Sequence, residues 1–131
     1  MDILLIDENG NATQCLEKMI KSWGHHVTVF TSGNESLKWI SKRKCDLVLL
    51  NAELQDMKGY ELIPEIKKLQ PSIGIVFMCD NNSREIELNA RKQGIFYYLL
   101  KPHEIKDMEA VVAQAQKKIY ADHEYRQVGM A

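Results

Sequence analysis

The chain has 131 residues, room for one domain with its own core and for no second one. Seventeen basic and eighteen acidic residues leave a net charge of −1, which excludes a global field drawing the protein to nucleic acid or to an anionic membrane. No apolar run approaches the ~20 residues of a membrane span, and the opening Met1-Asp2-Ile3-Leu4-Leu5-Ile6-Asp7 lacks the basic stretch of a signal sequence, so a cytoplasmic protein is expected. Cys15, Cys45 and Cys79 show no paired metal-ligand spacing and suit a reducing compartment, with Cys15 and Cys45 read as small core residues.

Ile3 to Ile6 reads as a first strand that runs into the acidic pair Asp7-Glu8. Leu16, Met19, Ile20 and Trp23 then recur at helical spacing, and Gly24 sits where such a helix ends. His26 to Phe30 is β-branched and aromatic, hence a strand, and Ser32 with Glu35 three residues on resembles a capping box for a helix carrying Leu37 and Ile40, with Trp39 beside them. Leu47-Val48-Leu49-Leu50 is apolar at every position, as a central parallel strand covered on both faces should be, and it ends in Asn51. Gly59 turns the chain into a helix with Leu62, Ile63 and Ile66. Pro71 and Ser72 precede a strand over Ile73 to Met78, and Asn82 with Glu85 opens a helix carrying Ile86, Leu88 and Ala90 that ends near Gly94. Ile95 to Leu100 is the fifth strand, leading into Lys101-Pro102. Ile105, Met108, Val111, Val112, Ala115 and Ile119 mark the buried stripe of a last helix. Residues 1–120 are expected to form the domain and 121–131 a helical or disordered charged tail. Five strand-helix repeats with short connections predict an α/β fold, a doubly wound five-stranded parallel sheet, (βα)5, with helices on both faces.

In such a sheet the carboxyl ends of the strands converge on one crevice. Asp7, Glu8, Asn51 and Lys101 all fall there. An aspartate at position 51 would be a phosphoryl acceptor with its counter-ion in place; the amide of Asn51 is neutral and a poor nucleophile. His25, His26, His103 and His123 lack metal-ligand spacing.

The doublet Asp7-Glu8, the segment Asp46-Leu-Val-Leu-Leu-Asn51-Ala-Glu-Leu-Gln-Asp-Met-Lys-Gly59 and the run Phe96-Tyr-Tyr-Leu-Leu-Lys101-Pro102 resemble, in order and spacing over about residues 2–120, the receiver domain of two-component response regulators. The resemblance implies a flavodoxin-like fold and a magnesium ion held by the positions of Asp7, Glu8 and Asn51. It implies that Lys101 stands where a lysine pairs with the phosphoryl group, Cys79 where a threonine or serine bonds to it, and Tyr98 where an aromatic rotates inward when that hydroxyl moves. Pro102 stands where a cis peptide bond is found. The departures cluster at this site. Asn51 removes the acceptor and one metal ligand, Cys79 is a weak hydrogen-bond donor, Asp80 adds a carboxylate near the phosphoryl oxygens, Glu53 adds another, and Gln55 replaces the usual proline.

The expected function is therefore an atypical, pseudo-receiver signalling domain degenerate at its phosphoacceptor position Asn51, not an enzyme, acting through protein–protein contacts in a phosphorelay. The resemblance implies a histidine kinase, an output domain or another signalling protein as partner, or a homodimer; from the net charge and the lack of a membrane span, no direct nucleic acid and no membrane are expected. The face of the fourth helix, fifth strand and fifth helix, with Arg84, Arg91, Lys92, Tyr97 and Lys106, is expected to meet an acidic surface or, in a dimer, Glu87 and Glu109. Asp7, Glu8, Glu53 and Asp80 together predict weak magnesium or other divalent cation binding unless Lys101 compensates them. The alternative is a conventional receiver phosphorylated elsewhere, such as on Asp56, or one whose Asn51 was introduced. A small flavodoxin-like nucleotide-binding enzyme is disfavoured, because the turn Asp7-Glu8-Asn9-Gly10-Asn11 has no Gly-rich phosphate cradle and no catalytic dyad or triad is evident.

Overall fold

Strands and helices alternate along the chain as β1 (Asp2–Ile6), α1 (Asn11–Ser22), β2 (His26–Phe30), α2 (Gly33–Ile40), β3 (Leu47–Asn51), α3 (Gly59–Leu69), β4 (Gly74–Cys79), α4 (Arg84–Lys92), β5 (Tyr97–Leu100) and α5 (Ile105–Gln127). The structure, a computed structural model, describes residues 1–8, 10–80, 83–101 and 105–127. The strands form one sheet in the order β2-β1-β3-β4-β5, every neighbouring pair parallel, and α1 to α4 each provide a crossover. β1 is registered on both sides, Leu4 lying opposite Thr28 of β2 and Val48 of β3. The winding direction reverses between β1 and β3, so their carboxyl ends flank the switch point, where an open α/β sheet leaves a crevice.

Alternation along the strands splits the core into two layers. Ile3, Leu5, Leu47, Leu49, Val76 and Met78 pack on Leu16 and Ile20 of α1 and on Met108, Val111, Val112 and Ala115 of α5. Leu4, Ile6, Val48, Leu50, Ile75 and Phe77 pack on Ile40 of α2, on Leu62, Ile63 and Ile66 of α3 and on Ala90 of α4. The expected doubly wound, flavodoxin-like architecture is the one observed. Among the described residues no helix is long and apolar enough to cross a membrane.

Local departures have local causes. The Ser32 hydroxyl caps α2 as expected, accepting from the Glu35 amide at 3.2 Å. α4 is capped by Ser83, whose hydroxyl accepts from the Ile86 amide at 3.3 Å. Asn82, expected in that role, lies outside the described residues, as do Asn9, Pro102 and His103 and the side chains of Ile105 and His123. The Ile73 amide is taken by the Gln70 carbonyl in a turn, which delays the start of β4 to Gly74. Cys45 is buried, but Cys15 is exposed, because it falls off the stripe of Thr13, Leu16 and Ile20 that α1 turns to the sheet. α5 runs unbroken past residue 120 to Gln127, so 121–127 continue the helix. Gly24 closes α1 at φ +93°, a conformation that side chains with a Cβ rarely adopt.

One glycine positions the crevice itself. The Gly59 amide donates to the Ala52 carbonyl at 2.7 Å, and a Cβ on Gly59 would collide with the Asn51 carbonyl oxygen. The start of α3 can therefore lie directly on the end of β3. Gly59→Ala is expected to cost about 2 kcal/mol or more in urea unfolding, since the obstructing atoms are backbone. Gly10→Ala, where no atom lies within 4 Å of the new Cβ, should cost less than about 1 kcal/mol.

Candidate functional site

The crevice is built from residues at or just past the carboxyl ends of β1, β3, β4 and β5. Asp7 follows β1, and its amide donates to the Phe30 carbonyl at 3.1 Å, keeping the chain tied to β2 as it leaves the sheet. Its side chain is only 6% exposed. Lys101 follows β5, and its amide donates to the Cys79 carbonyl at 2.7 Å. Anchored there, the Lys101 ammonium spans the ends of β4 and β3 to meet both Asp7 oxygens, with Nζ 3.0 Å from Oδ2 and 3.2 Å from Oδ1. Oδ1 also accepts the Glu8 amide at 2.7 Å. The Thr13 hydroxyl of α1 donates to the Glu8 carbonyl, fixing the connection after β1.

Asn51, the last residue of β3, is 6% exposed. Its Nδ2 donates to the Glu53 backbone carbonyl at 2.7 Å. The Glu53 carboxylate is engaged elsewhere, with Lys58 Nζ 2.8 Å and 2.6 Å from its two oxygens at a half-exposed position. That hydrogen bond holds the Lys58 ammonium above the ordinary lysine pKa. The expected crowd of four carboxylates is therefore corrected. Asp7 is neutralised by Lys101 and Glu53 by Lys58, while Glu8 and Asp80 are exposed to water, which screens them.

Among the described residues no group of three or more His, Cys, Asp or Glu is placed to hold a metal ion. A hard divalent cation needs charged or carbonyl oxygens. Here the buried carboxylate is bound by an ammonium, and the Glu53 carbonyl is satisfied by the Asn51 amide. The residues present do not fit the magnesium site that the resemblance implies.

Cys79 and Tyr98 meet on the α2–α4 side of the sheet, both buried. The Tyr98 ring stacks on Phe77 with centroids 6.0 Å apart and planes inclined by 22°, and the Arg91 guanidinium lies 5.7 Å from its centroid. Its hydroxyl is sealed from solvent beside the Cys79 thiol. Burial first, and the thiol second, push the phenol up to about 12. Tyr97 points to the other side of the strand and is 45% exposed. Arg91, expected to add to the basic bias of the docking face, is paired with Glu87 at 2.8 Å.

Asp56 has a structural task that the sequence conceals. Its carboxylate accepts the Ser32 hydroxyl at 3.0 Å and the Gly33 and Asn34 amides at 2.8 Å and 3.0 Å, which clamps the β3–α3 loop to the N-terminus of α2. Burial raises its pKa, but the Asn34 and Gly33 amides and the Ser32 hydroxyl outweigh this and hold it below the usual aspartate value. Thr31 adds a hydroxyl contact to Gln55 Oε1 at 3.1 Å. Ser32 and Glu35 mark the helix start in the sequence, yet nothing in it reveals that the second capping group comes from 24 residues away. The Glu53–Lys58 pair was likewise hidden, since no helical spacing relates them.

Comparison with known proteins agrees with this fold. The family model described as response regulator receiver domain matches residues 3–113. The transcriptional regulatory protein ZraR of Escherichia coli O157:H7 is 31% identical over 115 residues, covering 88% of this chain and 26% of ZraR. The chain spans about a quarter of the length of the curated relatives it matches. Among solved structures, a CheY-like receiver domain protein from Methanospirillum hungatei JF-1 superposes with a TM-score of 0.88 at 21% identity, covering 92% of this chain and 97% of that one. The receiver domain of a sensor histidine kinase from Pseudomonas aeruginosa PAO1, solved with a magnesium ion coordinated in its active site cleft, gives 0.79 at 23% identity, covering 90% of this chain and 96% of its own. At these identities the structural likenesses speak for the fold. Taken with the match over residues 3–113, they place this chain in the response regulator receiver domain family of two-component systems.

Proposed function

We propose that this receiver domain signals by surface recognition, without accepting phosphate at position 51 and without a bound metal. One observation carries the reading. The groups that the resemblance assigns to magnesium and phosphoryl are engaged with one another, Lys101 with Asp7 and the Asn51 amide with the Glu53 carbonyl. An amide oxygen is a poor nucleophile towards phosphorus, and the amide N–H faces the carbonyl a metal would need. Tyr98 is already packed inward on Phe77, the position that the family reaches when its switch is thrown, which supports a domain held in one state. Asp56 is a poor alternative acceptor, because three donors already occupy its carboxylate.

The signalling partner is proposed to dock on the face of α4, β5 and α5. Leu88, Tyr97 and Leu100 are exposed there, with Arg84 and Lys92 at its edge. Because Arg91 is tied to Glu87 and to the Tyr98 ring, this face is more apolar and less basic than the residue types alone imply. A histidine kinase, an output domain or a second copy of the chain fits such a surface. Contact with DNA, where it occurs, would belong to other parts of a longer protein.

Incubation with acetyl phosphate and magnesium, followed by intact mass measurement, tests the reading. The unmodified sequence should remain unphosphorylated. Asn51→Asp should accept phosphate slowly, and Asn51→Asp with Cys79→Thr about tenfold faster or more, because a hydroxyl donates to the phosphoryl oxygens where a thiol does so weakly. Near-stoichiometric addition to the unmodified chain would defeat the proposal; equal rates for the two variants would show that Cys79 plays no part.

Thermal unfolding gives an independent check. In Asn51→Asp the Glu53 carbonyl loses its donor and faces a carboxylate, so the variant should be destabilised by about 1–3 kcal/mol in EDTA and recover part of that loss in millimolar magnesium. The unmodified chain should show no comparable rise with magnesium. If it gains as much as the variant, the crevice holds a cation despite Lys101.

A further inference from the structure

At the amino-terminal end of the sheet, away from the Asn51 crevice, a cavity of about 270 Å³ opens between the starts of β4 and β5 and the later turns of α5. Ile73, Phe96 and Ala115 give it an apolar wall. Two ammonium groups reach it from different elements. Lys67 of α3 is drawn inward until its Nζ donates to the Ile73 carbonyl at 3.1 Å, and Lys118 of α5 lies over the Phe96 ring with Nζ 5.6 Å from the centroid. Burial first, and the charge of Lys118 second, hold the Lys67 ammonium below the ordinary lysine pKa. Lys68, the next residue along α3, pairs with Glu65, whereas neither cavity lysine forms an ion pair among the described residues. Asp122 on the rim is the single carboxylate among the described lining residues, against two ammonium groups.

Two like charges at the mouth of a half-enclosed apolar cavity repel each other, and an anion between them turns that repulsion into attraction. We propose that this cavity binds a small dianion with an apolar body, the chemistry of an aryl or alkyl phosphomonoester, with its phosphoryl oxygens on Lys67 and Lys118 and its body against Ile73 and Phe96. The volume lies at or below the lower end of the ~300–1,000 Å³ range of ligand clefts, which suits one ring and one phosphoryl group and excludes a whole nucleotide. The ligand would bridge α3, α5 and the segments that lead into β4 and β5, so it would bind the folded domain alone. Because the cavity is remote from Asn51, the proposal does not depend on how that crevice functions.

The test is an amide NMR titration of the full chain with phenyl phosphate and, separately, with inorganic phosphate. Phenyl phosphate should give saturable shifts at Ser72, Gly74, Phe96 and Lys118 with a Kd of about 1 mM, and inorganic phosphate should bind at the same residues about tenfold more weakly. Lys67→Gln and Lys118→Gln should each weaken phenyl phosphate about tenfold, while Lys68→Gln leaves it unchanged, with unaltered spectra elsewhere confirming that each variant is folded. Several results would overturn the proposal: no saturation by about 20 mM, shifts confined to the Asp7–Lys101 end of the sheet, equal binding of the two probes, or undiminished binding in the double lysine variant.

Discussion

The ion pair between Asp7 and Lys101 organises the functional end of this molecule. It joins the residue after β1 to the residue after β5 across 94 positions of sequence and across the ends of the two strands between them. Both partners are fixed by main-chain bonds, Asp7 to Phe30 and Lys101 to Cys79, before their side chains meet. A carboxylate this deeply buried must be compensated, since leaving it unpaired costs several kcal/mol. The resemblance implies a magnesium ion at this point; in the function proposed above, Lys101 supplies the positive charge instead.

The surrounding bonds follow the same logic of internal satisfaction. With Asn51 in place of a carboxylate, the end of β3 offers a donor, and the Glu53 carbonyl takes it. Glu53 finds Lys58, and Asp56 is spent on the first turn of α2, so the loop from β3 to α3 is stapled at both ends. Gly59 allows α3 to lie against the strand end and leaves no room for a larger residue. On the far side Tyr98 is wedged between Phe77 and Arg91, with its hydroxyl against a thiol that can do little to pull it elsewhere. These bonds engage Asp7, Asn51 and Lys101 within the chain, which is the basis of the proposed phosphate-independent reading.

Much of the architecture was legible because burial writes itself directly into residue type. Leu47 to Leu50 could only be a strand covered on both faces, and the alternation of strand and helix patterns left one topology. The positions of Asp7, Asn51 and Lys101 at strand ends followed from that topology alone. What the sequence did not disclose was the pairing among charges, because long side chains from loops choose partners by three-dimensional reach rather than by spacing. Four acidic residues therefore looked like one repelling cluster until Lys58, Lys101 and water divided them. Arg91 counted towards a basic face until α4 placed it one turn from Glu87. Cys15 looked like a core residue because its small size says nothing about which side of α1 it occupies.

The central claim, that Lys101 acts as the built-in counter-ion of the crevice, is tested most directly by a double-mutant cycle on Asp7→Asn and Lys101→Met, with unfolding free energies measured in EDTA and in magnesium. The proposed function predicts a favourable coupling of about 1–3 kcal/mol that is the same in both solutions, because the pair is partly desolvated and on that reading no metal competes for Asp7. A coupling near zero in EDTA, or one that collapses when magnesium is added, would contradict the account.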